Sequence, residues 1–89
     1  MANHRSATKR ARQDIKRAIR NKSVKGKVKS AIKGFRESLT KGDVSKAQEL
    51  LSTAATELRR AGSKGVFHKN TVSRRISRLA ASFNALRSA

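Results

Sequence analysis

Large apolar side chains occur in this chain almost only at helical spacing, and that decides what it can fold into. Val24, Val28, Ile32, Phe35 and Leu39 recur at steps of three or four. So do Val44, Ala47, Leu51, Ala54, Leu58 and Ala61, and again Val72, Ile76, Leu79, Phe83 and Leu86. Each set is one stripe of an amphipathic helix. Nothing alternates at period two for long enough to make a strand. The chain has no proline, so glycine has to punctuate the helices. Gly42 after Lys41 suits a left-handed C-terminal position, and Asp43 suits an N-cap. Gly62 and Gly65 bracket a second turn. The pattern predicts helices over about residues 6–40, 44–61 and 67–86, joined by turns short enough to make neighbours antiparallel. The expected fold is all-α: a three-helix bundle forming one domain over residues 1–89, with a long basic first helix projecting beyond the core.

The stripes have little to bury. Five Val, four Ile, six Leu and three Phe make up about one residue in five, near the level at which a highly charged chain is expected to be disordered. Residues 2–23 contain only Ile15 and Ile19 as large apolar residues. Helices of some 20 residues, rising about 1.5 Å per residue, cannot cover one of some 35. The first three or so turns of the first helix must therefore project. A projecting basic helix has little reason to fold in water and a strong one to fold against phosphate. The bundle is expected to be marginal alone and completed by its partner.

That partner is indicated by charge. The chain has 23 Lys+Arg against 5 Asp+Glu, a formal charge of +18. Residues 1–36 hold thirteen of the cations and one acid, Asp14; residues 37–58 hold two cations and four acids; residues 59–89 hold eight cations and no acid. A uniformly solvated surface would not sort itself into a neutral middle and two basic flanks. A body this charged repels itself unless a polyanion is near, and nucleic acid is the leading candidate. On the first helix, Arg5, Lys9, Arg12, Lys16, Arg17 and Arg20 share one arc at about 100° per residue. Beyond Asn21, the basic stripe becomes Lys22, Lys25, Lys29, Lys33 and Arg36, on roughly the opposite face. Either the helix bends near Asn21-Lys22-Ser23, or it stays straight and presents cations to different RNA segments on different sides. The second is expected, since neither Gly nor Pro sits there to cause a kink. A further cluster runs through Lys64-Gly65-Val66-Phe67-His68-Lys69-Asn70 into Arg74, Arg75 and Arg78. There Gly65 permits a sharp turn, and the third helix opens with free amides able to meet phosphate. His68 caps, packs or touches RNA.

Other function classes find little support. Without cysteine there is no disulfide framework and no thiolate metal site. Two His and scattered acids offer no metal centre and no acid–base pair, so no enzyme and no cofactor are expected. Asp14 and Glu37, with Lys or Arg at helical spacing, suggest ordinary surface ion pairs. Asn21-Lys22-Ser23 matches a glycosylation acceptor only by chance. No apolar run exceeds three residues, so neither a membrane span nor a signal peptide is expected, and residues 1–23 lack the apolar face of a membrane-active helix. A histone-like DNA-compacting protein is the alternative, but the sequence offers neither a spare dimer stripe nor a proline-bearing ribbon. Three Phe with no Tyr or Trp cannot build stacking platforms for unpaired bases. Recognition is therefore expected through phosphates and 2′-hydroxyls of folded RNA.

The opening MANHRSATKR, the stretch RNKSVK, the GD turn at Gly42-Asp43 and the segment KGVFHKNTVSRRISRLA together resemble the S-twenty family of bacterial small-subunit ribosomal proteins. The likeness covers essentially the whole chain. His4 and Phe67 stand where that family more often has an aliphatic residue. The resemblance implies a cytoplasmic three-helix protein, monomeric within the ribosome, that binds 16S ribosomal RNA early in small-subunit assembly. It also implies that the long first helix penetrates between RNA helices. Carried onto this chain, it assigns RNA contact to Asn3, Arg5, Ser6, Lys9, Arg10, Arg20, Asn21, Lys22 and Ser23. A second contact region comprises Lys64, Gly65, His68, Lys69, Asn70 and Arg75. The charge pattern adds Arg12, Lys16, Arg17, Lys25, Lys27, Lys29, Arg74 and Arg78, with residues 1–23 as the RNA-binding extension. Neither a membrane nor a small-molecule substrate is implied.

Overall fold

A computed structural model describes the backbone of residues 2–89 and the side chains of residues 7–89. Three helices follow one another: α1 (Ala2–Lys41), α2 (Val44–Ser63) and α3 (Lys69–Ser88). Among the described residues there is no strand. The molecule measures 67 × 21 × 14 Å, and α1 alone, 40 residues long, accounts for about 60 Å of its length. The helix runs unbroken through Asn21-Lys22-Ser23. Without Pro or a Gly pair in that stretch, nothing interrupts its hydrogen-bond ladder.

Both turns are built alike. At the end of α1, the Gly42 N–H donates to the Leu39 carbonyl at 3.1 Å and the Asp43 N–H to the Ser38 carbonyl at 3.3 Å. At the end of α2, the Gly65 N–H donates to the Gly62 carbonyl at 3.1 Å and the Val66 N–H to the Ala61 carbonyl at 3.0 Å. This double closure needs a left-handed residue just past the helix, and Gly42 (φ 73°) and Gly65 (φ 76°) supply it. Asp43 caps α2 as its sequence position suggests, its carboxylate accepting from the Lys46 N–H at 3.1 Å. The second turn differs from expectation at Gly62, which lies inside α2 rather than in the turn. Packing is tight there: a Cβ on Gly62 would sit 3.0 Å from Cγ2 of Val72 on α3. The third helix starts two residues later than its apolar pattern suggests, because His68 is extended (ψ 145°) and acts as the cap.

The core joins Val24, Val28 and Phe35 of α1 to Ala47, Ala54, Leu58 and Ala61 of α2 and Val72, Leu79 and Phe83 of α3. Ile32, Leu39, Leu51, Ile76 and Leu86 are half-buried at its margin. Val44 departs from its predicted stripe and stays exposed at the start of α2. Ser38 is buried, and its hydroxyl donates to the Phe35 carbonyl at 2.6 Å, so a polar side chain enters the core already satisfied. The second helix packs against both neighbours, whereas α1 and α3 meet only sparsely.

Two glycines inside helices should respond in opposite directions to alanine. A Cβ at Gly26 would meet nothing within 4 Å, so Gly26→Ala should stabilise the chain by about 0.5–1 kcal/mol. The same gain at Gly62 is opposed by the stiff, buried Val72, and overpacking costs about 1–3 kcal/mol. Gly62→Ala should therefore lower the urea midpoint, and a midpoint at or above that of the parent chain would contradict this packing.

Candidate nucleic-acid interface

The described half of the predicted interface on α1 is a bare cylinder of charge. Residues 7–20 are all exposed, and burial begins only at Asn21 and Val24. About the first five turns of α1 therefore extend past the α2–α3 layer, against the three expected. Lys9, Arg10, Arg12, Lys16, Arg17 and Arg20 lie on this projection. The side chains of Asn3, Arg5 and Ser6, also assigned to RNA, lie outside the described residues, as does that of His4. Ile15 and Ile19 are 60% and 66% exposed. On a helix of 3.6 residues per turn they point roughly opposite to Val24, Val28 and Phe35, so even longer partner helices would not have covered them.

Because α1 is continuous, its basic stripe does change sides. The centre of the Lys22, Lys25, Lys29, Lys33 and Arg36 stripe lies about 150° around the axis from that of the Lys9, Arg12, Lys16 and Arg20 arc. Lys22, Ser23, Lys25, Lys27 and Lys29 are all exposed. Asn21 is half-buried, with its Oδ1 enclosed and without a hydrogen-bond partner.

The second cluster meets α1 at its midpoint. A guanidinium N–H of Arg20 donates to the Lys64 carbonyl at 3.3 Å, so the α2–α3 turn abuts the level at which the projection begins. Two regions 44 residues apart in sequence are thereby one continuous surface. Lys64, Gly65, His68, Lys69, Asn70, Arg74, Arg75 and Arg78 are all exposed around it. The His68 Nδ1 accepts from the Asn70 N–H at 3.1 Å. With Nδ1 engaged as the acceptor of the cap, Nε2 is the ring nitrogen left to meet an outside partner.

Arg75 and Arg78 face Lys25 and Lys29 across a groove of about 960 Å³ between α1 and α3. Lys33 and Arg36 line the same groove but are absent from the residues assigned to RNA above. Their helical spacing with Lys25 and Lys29, at steps of four and then three residues, was the signal that could have included them. The expected surface ion pairs at Asp14 and Glu37 do not form: among the described residues the ion pair found is Arg60–Glu57 at 3.3 Å. Among the described residues no carboxylate approaches Arg10, Arg17 or Lys22 closely enough to pair. Among the described residues no cluster of His, Cys, Asp or Glu could hold a metal ion, and no helix is long and apolar enough to cross a membrane.

Comparison with known proteins agrees with this geometry. Residues 2–84 match the family model described as ribosomal protein S20. A small ribosomal subunit protein bS20 from Helicobacter pylori (strain Shi470) is 56% identical over 82 residues, 92% of each chain. Proteins of the same name from Anaeromyxobacter sp. (strain Fw109-5) and Oleidesulfovibrio alaskensis (strain ATCC BAA-1058 / DSM 17464 / G20) are 54% and 49% identical. The first alignment covers 90% of this chain and 89% of the relative, the second 89% and 91%.

The cap at His68 can be separated from any contact its ring makes. His68→Ala should destabilise the fold by about 1 kcal/mol, the usual worth of an N-cap, while His68→Asn should restore most of it. Thermal unfolding of both variants checks this, and equal melting of His68→Ala and the parent chain would remove the cap.

Proposed function

The chain belongs to the ribosomal protein S20 family, and from that premise we propose that it binds 16S ribosomal RNA directly and stabilises the RNA fold as the 30S subunit assembles. It is a small-subunit ribosomal protein. Its role is structural, as a monomer within the cytoplasmic ribosome, without catalysis, cofactor or small-molecule substrate. The observation that carries the proposal is the set of exposed cations which, Arg60 apart, have no carboxylate partner among the described residues. Residues one helical turn apart have Cβ atoms about 5–6 Å from each other, so their charges act on one another over distances comparable to the Debye length of about 8 Å at physiological salt. They repel until phosphate arrives.

The geometry suits a rod inserted between RNA segments. A helix some 10–12 Å across carries its cations on one side above Asn21 and on nearly the opposite side below it. Residues 1–23 act as the RNA-binding extension, and one α1 can hold two backbones that would otherwise repel. The turn at Lys64–Asn70 adds a third direction of contact where the extension leaves the bundle. Arg and Lys contribute differently: Arg grips phosphate oxygens two at a time, whereas Lys acts as a point charge. With few aromatics, affinity comes chiefly from phosphates, whose released counterions make binding steeply salt-dependent.

Filter binding to 16S ribosomal RNA across a salt series tests this. Replacing Arg10, Arg17 and Lys22 by Glu should weaken binding severely and reduce the log–log salt slope by roughly three, about one per lost phosphate contact. Arg20 is left intact because it also holds the Lys64 carbonyl. An unchanged slope would refute the placement on α1. Equal competition by duplex DNA at equal phosphate would favour a DNA-compacting role instead.

A further inference from the structure

The groove between α1 and α3 exists because both helices pack on α2 and scarcely on each other. Its floor is apolar, formed by Val28, Ile32, Phe67 and Leu79. Its α1 wall carries Lys25, Lys29, Lys33 and Arg36, and its α3 wall Arg75 and Arg78, against one acid, Glu37. An occupant must therefore be anionic along both edges and flat or apolar between them. At about 960 Å³ the space falls in the roughly 300–1,000 Å³ range of pockets that hold a compact small molecule, which is ample room for a nucleotide.

One contact discriminates between kinds of polyanion. The Arg75 guanidinium lies over the Phe67 ring, 4.8 Å from its centroid. Carboxylates of an acidic protein segment engage a guanidinium through its edge, as a fork. A nucleobase engages its plane. Phe67 holds the guanidinium at the groove, and Arg75 remains exposed, so it is accessible to a second flat group. We propose that this groove binds an unpaired nucleotide of the RNA, its base stacked on the Arg75–Phe67 pair and its flanking phosphates held by Lys29 and Lys33. The proposal rests on the RNA-binding function above and adds to it a site for a single unstacked base. It also qualifies the expectation that three Phe cannot build a stacking platform: one Phe and one Arg together present one.

The test uses the full chain and two RNA hairpins, one fully paired and one with a single bulged 2-aminopurine in the same stem. The protein has no Trp or Tyr, so the probe's fluorescence is read without protein background. The parent chain should quench the bulged base and prefer the bulged hairpin by roughly tenfold, the scale of one base–side-chain stack. Arg75→Lys keeps the charge and loses the plane; Phe67→Leu keeps the apolar floor and loses the ring. In both, the ratio of the two affinities should fall towards one and quenching should fade. Arg75→Lys is a surface change, so its outcome does not depend on the fold surviving loss of Phe67. Equal affinity of the parent chain for both hairpins, or an undiminished ratio in Arg75→Lys, overturns the proposal. Equal affinity accompanied by tight binding of a charge-matched acidic amphipathic peptide assigns the groove to a protein segment and likewise overturns it. Failure of the RNA-binding function itself would appear differently, as loss of binding to the fully paired hairpin.

Discussion

Ala47, Ala54 and Ala61 of α2 are fully buried and seven residues apart, and the rest of the fold is arranged around the close approach they permit. A chain with so few large apolar residues cannot fill a wide interhelical space. Small side chains remove the need, because helices with short contacts pack at the near end of the usual 8–10 Å separation. Leu58 and Phe35 then fill the interior at full burial, and Gly62 lets Val72 of α3 come within touching distance of the α2 backbone. The second helix is thus the element on which both others depend. It is also the nearly neutral part of the chain, so the one surface that must be desolvated carries little charge to strip of water.

The charged elements are consequently peripheral, and their arrangement follows from that. Both lie on the outside of α2, touching each other little, which leaves the groove between them and sets two cationic walls face to face. The projecting half of α1 has no packing to constrain its surface, so its cations can occupy any side. The hydrogen bond from Arg20 to the Lys64 carbonyl ties the projection's base to the bundle. Stability and recognition are divided between segments: burial of α2 against the lower half of α1 and α3 holds the fold, while the cations lie where burial asks nothing of them.

Much of this was legible from the residues alone. The three helices follow from apolar spacing, and Gly42-Asp43 is placed correctly because its left-handed glycine and its capping carboxylate are both local features. The parts that were not legible are those decided by a distant neighbour. Gly62 looks like a turn residue until Val72 is seen packed close against it. Val44 fits the stripe of α2 but lies at its first position, beyond the reach of the core. His68 could cap, pack or bind, and only the extended backbone at that residue shows the cap. For the interface, charge and spacing located both basic regions but could not show that the Lys64 turn returns to Arg20. Nor could they show that Lys33 and Arg36 confront Arg75 and Arg78 across one groove.

The continuity of α1 makes the change of basic face informative. If the helix were broken at Asn21, each half could turn its cations toward a common surface, and the two stripes would amount to one. An unbroken helix forbids that. Its two stripes are fixed about 150° apart, and no single flat polyanion can satisfy both. The fixed angle therefore requires either two separate anionic surfaces or one that wraps around the rod. A folded RNA supplies such surfaces from helices that are close in space and distant in sequence. A uniform duplex meets only one side of a rod laid along it. The rigid angle thus favours the branched over the linear polyanion, and it does so with charges that carry no base-specific information of their own.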